Sequence, residues 1–238
     1  MEPEVTPTSR TDTWAKPVDT LRVTGVAGDP INRGVDGRRV SGPVQGFGKM
    51  WQKTYRIRLG NQLSPEDVIA HWKDHFGEFW PEGNRFYAPL AGVRPGEVGL
   101  INASMGGLKL STGVLVLYAD EVSFAYMTPE GHPFGGLITF SAHRDGPATL
   151  AQIQLLIRAQ DPMTELGMAF GGHRKEDRMW EHTLRSLAGS LGIDGEPSKE
   201  IVCVDKRRQW RRFGNVRHDP VLAALAHPFG GRGRKRAG

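Results

Sequence analysis

The stretch FAYMTPEGHPFGG, residues 124–136, lies between two runs in which apolar and polar residues alternate. Phe124 and Tyr126 share one parity, and the run on the far side resumes the same period of two. Between them stand Pro129, Gly131, Pro133 and a glycine pair, residues that fix or free φ where a chain must reverse. A connection this short joins antiparallel neighbours, because a parallel pair needs a long crossover. His132 sits in the middle of it and leaves two roles open. It is either an acid/base or ligand hydrogen bonder near neutral pH, or one member of a strand-to-strand turn. No acidic partner stands at a fixed spacing, although Glu130 is near, so the turn is the expectation.

Working outward, the same period of two marks strands at 85–90, 97–104, 108–118, 121–127, 136–143 and 149–159. In the last of these Ala151, Ile153, Leu155 and Ile157 alternate with Gln152, Gln154 and Arg158, with Leu156 as an interruption. An earlier strand spans 51–59. Trp51, Tyr55, Ile57 and Leu59 share its apolar parity, and Lys53 breaks it. Ala119-Asp120 and Arg144-Asp145-Gly146 supply further turns, so the strands form an antiparallel meander.

Helical signals flank the meander. Ser64 caps a helix with Pro65 in its first turn, and Glu66 and Asp67 suit the positive end of its dipole. Val68, Ile69, Trp72, Phe76, Phe79 and Trp80 form its stripe; Gly77 divides it and Pro81-Glu82-Gly83 ends it. Asp161-Pro162 opens a short segment carrying Met163, Leu166, Met168 and Phe170, which stops at Gly171-Gly172. A longer helix runs over 174–191. Glu176 and Asp177 lie in its first turns, Trp180, Leu184, Leu187 and Leu191 form its stripe, and Gly192 ends it.

The ends differ from the body. Residues 1–48 show no sustained period and read as an extended arm. Residues 195–238 read as a basic extension with eleven Lys/Arg against four Asp/Glu. The whole chain is only +5, so the body at 49–194 and its arm are slightly acidic together, and the alkaline balance belongs to the extension. Within the extension lie a short strand at 201–204, a DPVLAALA helix and a terminal RGRKRAG. A single cysteine, Cys203, excludes an internal disulfide. The N-terminus lacks a basic, then apolar, leader, and the longest apolar run is too short to span a bilayer. A cytoplasmic protein is the expectation.

One strand, one or two short helices, six strands and a long helix make an α+β chain. A curved antiparallel sheet of six or seven strands cannot cover its own concave face, and a long helix with one apolar stripe can. The order resembles the helix-grip fold of the START/birch-pollen-allergen-like superfamily. Residues 124–133, with Arg94-Pro95-Gly96-Glu97-Val98-Gly99-Leu100-Ile101 and Trp72…Trp80-Pro81, resemble a bacterial domain family of unknown function within or near that superfamily. The resemblance spans roughly 49–192. It implies a cavity between sheet and helix. The superfamily includes lipid carriers, hormone receptors and polyketide cyclases, and fold alone does not choose among them.

Trp72, Phe76, Trp80, Tyr126, Phe140 and Trp180 are candidates for the cavity wall, with Met168 as an adaptable part of it and Asn102, Tyr126 or His132 to orient a ligand. The leading expectation is non-catalytic binding of a hydrophobic or amphipathic small molecule, such as a lipid, polyketide or isoprenoid. The alternatives are a cyclase-type enzyme using His132, or an interaction protein using its tail. In that tail Lys206, Arg207, Arg208, Trp210, Arg211 and Arg212, with the basic run 232–236, suit phosphates and stacked bases or anionic lipid. His71 and His75 lie four apart with Glu78 in reach, but no further ligand is evident and no metal or cofactor is expected.

Overall fold

The structure is a computed structural model, and it describes residues 13–16, 18, 20, 22, 23, 36–105 and 108–219. Strand β1 (Met50–Arg58) is followed by helix α1 (Pro65–His75) and a 3-10 turn (Phe76–Phe79). Then come β2 (Arg85–Tyr87), β3 (Val98–Met105), β4 (Leu108–Ala119), β5 (Ser123–Met127), β6 (Phe134–Asp145) and β7 (Ala148–Ala159). Helix α2 (Pro162–Gly167) runs through a π turn (Met168–Gly172) into α3 (His173–Ser190), and β8 (Ser198–Asp205) and a 3-10 segment (Trp210–His218) follow.

All strands form one antiparallel sheet in the order β2-β3-β4-β5-β6-β7-β1-β8. The α+β helix grip expected from sequence is present, with one correction. The sheet has eight strands where six or seven were expected. The stretch read as a short strand in a basic extension reaches back to the free edge of β1, so that Trp51 faces Cys203 and Thr54 faces Glu200.

Local chemistry explains the elements. Ser64 Oγ accepts from the Asp67 amide at 3.1 Å and starts α1. The stripe of α1 places Val68, Ile69 and Trp72 in the core. Gly77 stands where the helix tightens to 3-10, and a Cβ there would meet the Phe86 carbonyl oxygen at 2.8 Å. Asp161 Oδ1 accepts from the amides of Met163 and Thr164 at 2.8 and 2.9 Å, capping α2. Gly171, at φ 105°, breaks the helix between α2 and α3, a conformation that costs only glycine little.

The core fills the concave side. Tyr55, Ile57, Ile153, Leu155, Phe124 and Phe140 come from the sheet, Trp72 from α1, and Leu184, Leu187 and Ala188 from the second half of α3. The described parts of the arm lie on the body. Ala15 N–H donates to Leu117 O and Ala119 N–H to Thr13 O, extending the edge that β3 leaves uncovered on β4. Ser41 bonds across the β5–β6 connection, donating to Thr128 O and accepting from Gly136 N–H. No described helix is long and apolar enough to cross a membrane.

Candidate functional site

The two halves of α3 differ in what they present to the sheet. The second half carries Leu184, Leu187 and Ala188, all buried. The first half carries Lys175, Glu176 and Arg178, with Met179 and Trp180 as its apolar members. That half is tied to β1 at Glu176 and Asp177 but leaves a cavity of about 590 Å³ over the rest of the sheet, walled by β3 to β7, the 76–84 segment and residues 168–182. Glu82, Lys175, Arg178 and His182 line it while exposed to solvent, so they mark the mouth.

Of the nine residues expected to bind ligand, Phe76, Trp80, Tyr126, His132, Phe140, Met168 and Trp180 line this cavity. Two do not. Trp72 is fully buried and packs edge-on against Phe140 at 5.4 Å and Phe124 at 6.2 Å, so it belongs to the filled part of the core. Asn102 lies in β3 between Ile101 and Ala103, which both line the cavity. The alternation of the strand therefore turns Asn102 to the outer face.

His132 is both turn and wall. Its Nδ1 lies 3.0 Å from the Phe134 amide nitrogen, and its own amide donates to Pro129 O at 3.1 Å. Burial holds the ring neutral and lowers its pKa to about 4. Nδ1 also lies 3.1 Å from the Phe134 carbonyl oxygen, so in either tautomer it is engaged with the turn. The Tyr126 hydroxyl is buried, which pushes its pKa up. Neither that hydroxyl nor Trp80 Nε1 has a hydrogen-bond partner among the described residues.

A charged cluster beside the cavity escaped the sequence reading. Lys53 is fully buried on the inward parity of β1, and its Nζ donates to Glu176 Oε2 at 2.8 Å and Asp177 Oδ1 at 2.7 Å. Tyr55 Oη donates to the same Asp177 oxygen at 2.7 Å. Lys199 of β8 reaches Glu181 at 2.9 Å and Asp177 at 3.6 Å. Burial raises the Glu176 pKa against the pull of Lys53. Burial also works to raise Asp177, but hydrogen bonds from Lys53 and Tyr55 outweigh it and the net shift is downward. The signal in the sequence was Lys53 itself, a lysine on an apolar parity. Its partners lie more than 120 residues away, at helix positions that read equally well as dipole charges.

The described part of the basic tail is docked on the body. Arg158 of β7 is buried and donates to Arg207 O at 2.8 Å and to Asp205 at 2.7 Å. Arg208 pairs with Glu165 at 3.0 Å, and the Gln209 amide donates to Phe47 O. Trp210 meets Phe47 edge-on at 5.4 Å and stacks on Phe213. Arg211 reaches Gln209 Oε1, and the buried Nε of Arg212 has no partner among the described residues. Lys206 and the Arg207 side chain are exposed. Residues 220–226 of the DPVLAALA stretch and the basic run 232–236 lie outside the described residues. His71 bonds Ser190 Oγ and His75 bonds Glu78, and among the described residues no group of three or more acidic, His or Cys side chains is placed to hold a metal.

No protein-family model matches the chain, and no curated protein matches it. Solved structures similar in shape include a START superfamily protein from Mycobacterium smegmatis, 22% identical, with a TM-score of 0.42 over 61% of this chain and 98% of that one. Another is the protein TTHA0849 from Thermus thermophilus, at 17% identity and a TM-score of 0.46 over 59% and 96%. A third is the di-domain ARO/CYC StfQ from the steffimycin biosynthetic pathway, at 9% and 0.47 over 61% and 53%. The finer resemblance, to the bacterial family of unknown function, has no matching family model behind it. On its own topology, a curved antiparallel sheet closed by a long C-terminal helix, this chain has the helix-grip fold.

Proposed function

We propose that the protein binds a hydrophobic or amphipathic small molecule in the cavity between its sheet and α3, without transforming it. The observation that carries this reading is the cavity itself: about 590 Å³, walled by Phe76, Trp80, Phe86, Phe140, Ile157 and Trp180 among others. Ligand pockets fall in the range of about 300–1,000 Å³. A ligand burying about 300 Å² of apolar surface there would gain about 7 kcal/mol before the costs of ordering it. The charged residues at the mouth suit a polar end, which makes room for an amphipathic molecule. His132 supports the non-catalytic part, since its neutral ring spends Nδ1 on the turn.

The test is uptake of N-phenyl-1-naphthylamine, whose fluorescence rises in apolar surroundings. One site per chain is expected. Ala103→Trp, which places an indole inside the wall, is expected to abolish uptake while the circular dichroism spectrum is unchanged. Bound material recovered from the protein is expected to keep its mass. Absence of uptake by the native chain, or unimpaired uptake by Ala103→Trp, overturns the reading.

A further inference from the structure

We infer that α2 and the 3-10 segment of the C-terminal extension together form a docking surface for an anionic lipid bilayer. The side chains that make it do not line the cavity, and it would exist whatever the cavity holds.

The apolar part of the surface is built by two touching elements. Met163, Leu166 and Phe170 stand three and four residues apart, so the helical turn sets them along one face, and they are 47%, 53% and 83% exposed. Glu165 and Met168 between them turn the other way, the first to Arg208 and the second to the cavity. The 3-10 segment packs against α2, and its Trp210 and Phe213 are 69% and 51% exposed. These two rings lie nearly parallel, at 14°, and both stand edge-on to the buried Phe47. Phe47 also joins the two elements. Its amide donates to Ala159 O, two residues before the Asp161 cap of α2, and its carbonyl accepts from the Gln209 amide. Single exposed apolar side chains are ordinary on a protein surface, whereas a group held on one floor marks a contact site.

Charge names the partner. Lys206, Arg207, Arg208 and Arg211 are exposed on the chain that enters and forms the 3-10 segment. The nearby carboxylates are already paired, Glu165 with Arg208 and Asp205 with Arg158 and Arg207. Residues 220–238, which follow this segment in the chain, add Arg232, Arg234, Lys235 and Arg236 and no acidic residue. Cations set around apolar side chains, with a tryptophan among them, suit the boundary of an anionic bilayer. Headgroups there take the charge, and the acyl layer takes the apolar groups. A nucleic acid would use the cations and an exposed ring, but it offers nothing to Met163 and Leu166.

The test is flotation of the full chain with lipid vesicles. The protein is expected to float with phosphatidylcholine containing about 30% phosphatidylserine and to stay behind with phosphatidylcholine alone. Raising the salt to about 0.5 M is expected to weaken the binding. Leu166→Ser with Phe170→Ser removes two exposed apolar side chains and is expected to lower partition about tenfold. Lys206→Glu with Arg211→Glu is expected to lower it about twentyfold, at about fivefold for each cation lost. All four side chains are exposed, so both double variants are expected to keep the native circular dichroism spectrum and Tm. A native chain that does not float with phosphatidylserine overturns the inference, which is also the result if residues 220–238 occupy the surface instead. Flotation unimpaired in Leu166→Ser with Phe170→Ser overturns the part given to α2. Binding of a single-stranded oligonucleotide more tightly than those vesicles, unchanged in the same variant, assigns the cations to nucleic acid and overturns the bilayer.

Discussion

Replacing Lys53 by methionine tests the charged seam between β1 and α3. The native ammonium is fully buried and lies 2.8 and 2.7 Å from two carboxylates. Methionine matches the stem but leaves Glu176 and Asp177 facing each other without their shared cation. Removing one partner of a buried ion pair costs about 3–5 kcal/mol. Asp177 keeps Tyr55 and Lys199, so the lower end, about 3 kcal/mol, is expected here. The loss depends on pH with a definite sign. Burial already raises the Glu176 pKa and Lys53 opposes it; without Lys53 it rises further. The folded state of the variant then binds a proton that the unfolded state lacks at neutral pH, so acidification favours folding. Urea unfolding of both proteins should show the gap widest at pH 7.5 and narrower at pH 5. A gap below about 1 kcal/mol at pH 7.5, or one that does not change with pH, would refute the reasoning.

Three further outcomes follow from the same geometry. His132 titrates near 4 when folded against an ordinary value near 6.5, so the unfolded chain takes up the proton first as pH falls. That contribution is intact above about pH 6.5 and is lost between there and pH 4, at most about 3 kcal/mol. In His132→Gln this part of the acid sensitivity should vanish, and parallel stability curves for the two proteins would contradict it. A Cβ at Gly136 would sit 2.6 Å from the Leu156 carbonyl oxygen and 3.0 Å from Ile157 Cα, backbone atoms of the paired strand. Gly136→Ala should therefore cost about 1–3 kcal/mol in thermal unfolding, and an unchanged Tm would show that the β6–β7 spacing is looser than described. Tyr126→Phe removes a buried hydroxyl that has no partner among the described residues, so without ligand its Tm should be unchanged or raised by a few degrees. A clear drop would mean that the hydroxyl is satisfied within the protein.

Much of this was legible in the sequence because it is local. Alternating parity and turn chemistry located β2 to β7 and their antiparallel sense, and the Ser64-Pro65 and Asp161-Pro162 caps located the starts of α1 and α2. Aromatics on helical stripes and on strand parity led to five wall residues, and a turn histidine and a methionine to two more. Asn102 could have been excluded by the same parity, since its neighbours Ile101 and Ala103 face inward. Trp72 could not, because whether a ring fills the core or borders a hollow depends on how side-chain volumes from separate elements add up. Long-range pairing was illegible for the same reason. Nothing near Lys53 names Glu176, and nothing near 198–205 says that β1 has a free edge. The docking of the basic tail rests on Arg158, which read as an ordinary outward-facing strand residue.

The central claim is that a hollow exists between the sheet and the first half of α3. Crystals of the protein pressurised with xenon test it most directly, since xenon enters apolar cavities and scatters strongly. The expected result is xenon density bounded by Phe140, Ile157 and Trp180. Well-ordered crystals with no xenon there, and with the wall side chains collapsed to fill that space, would contradict it.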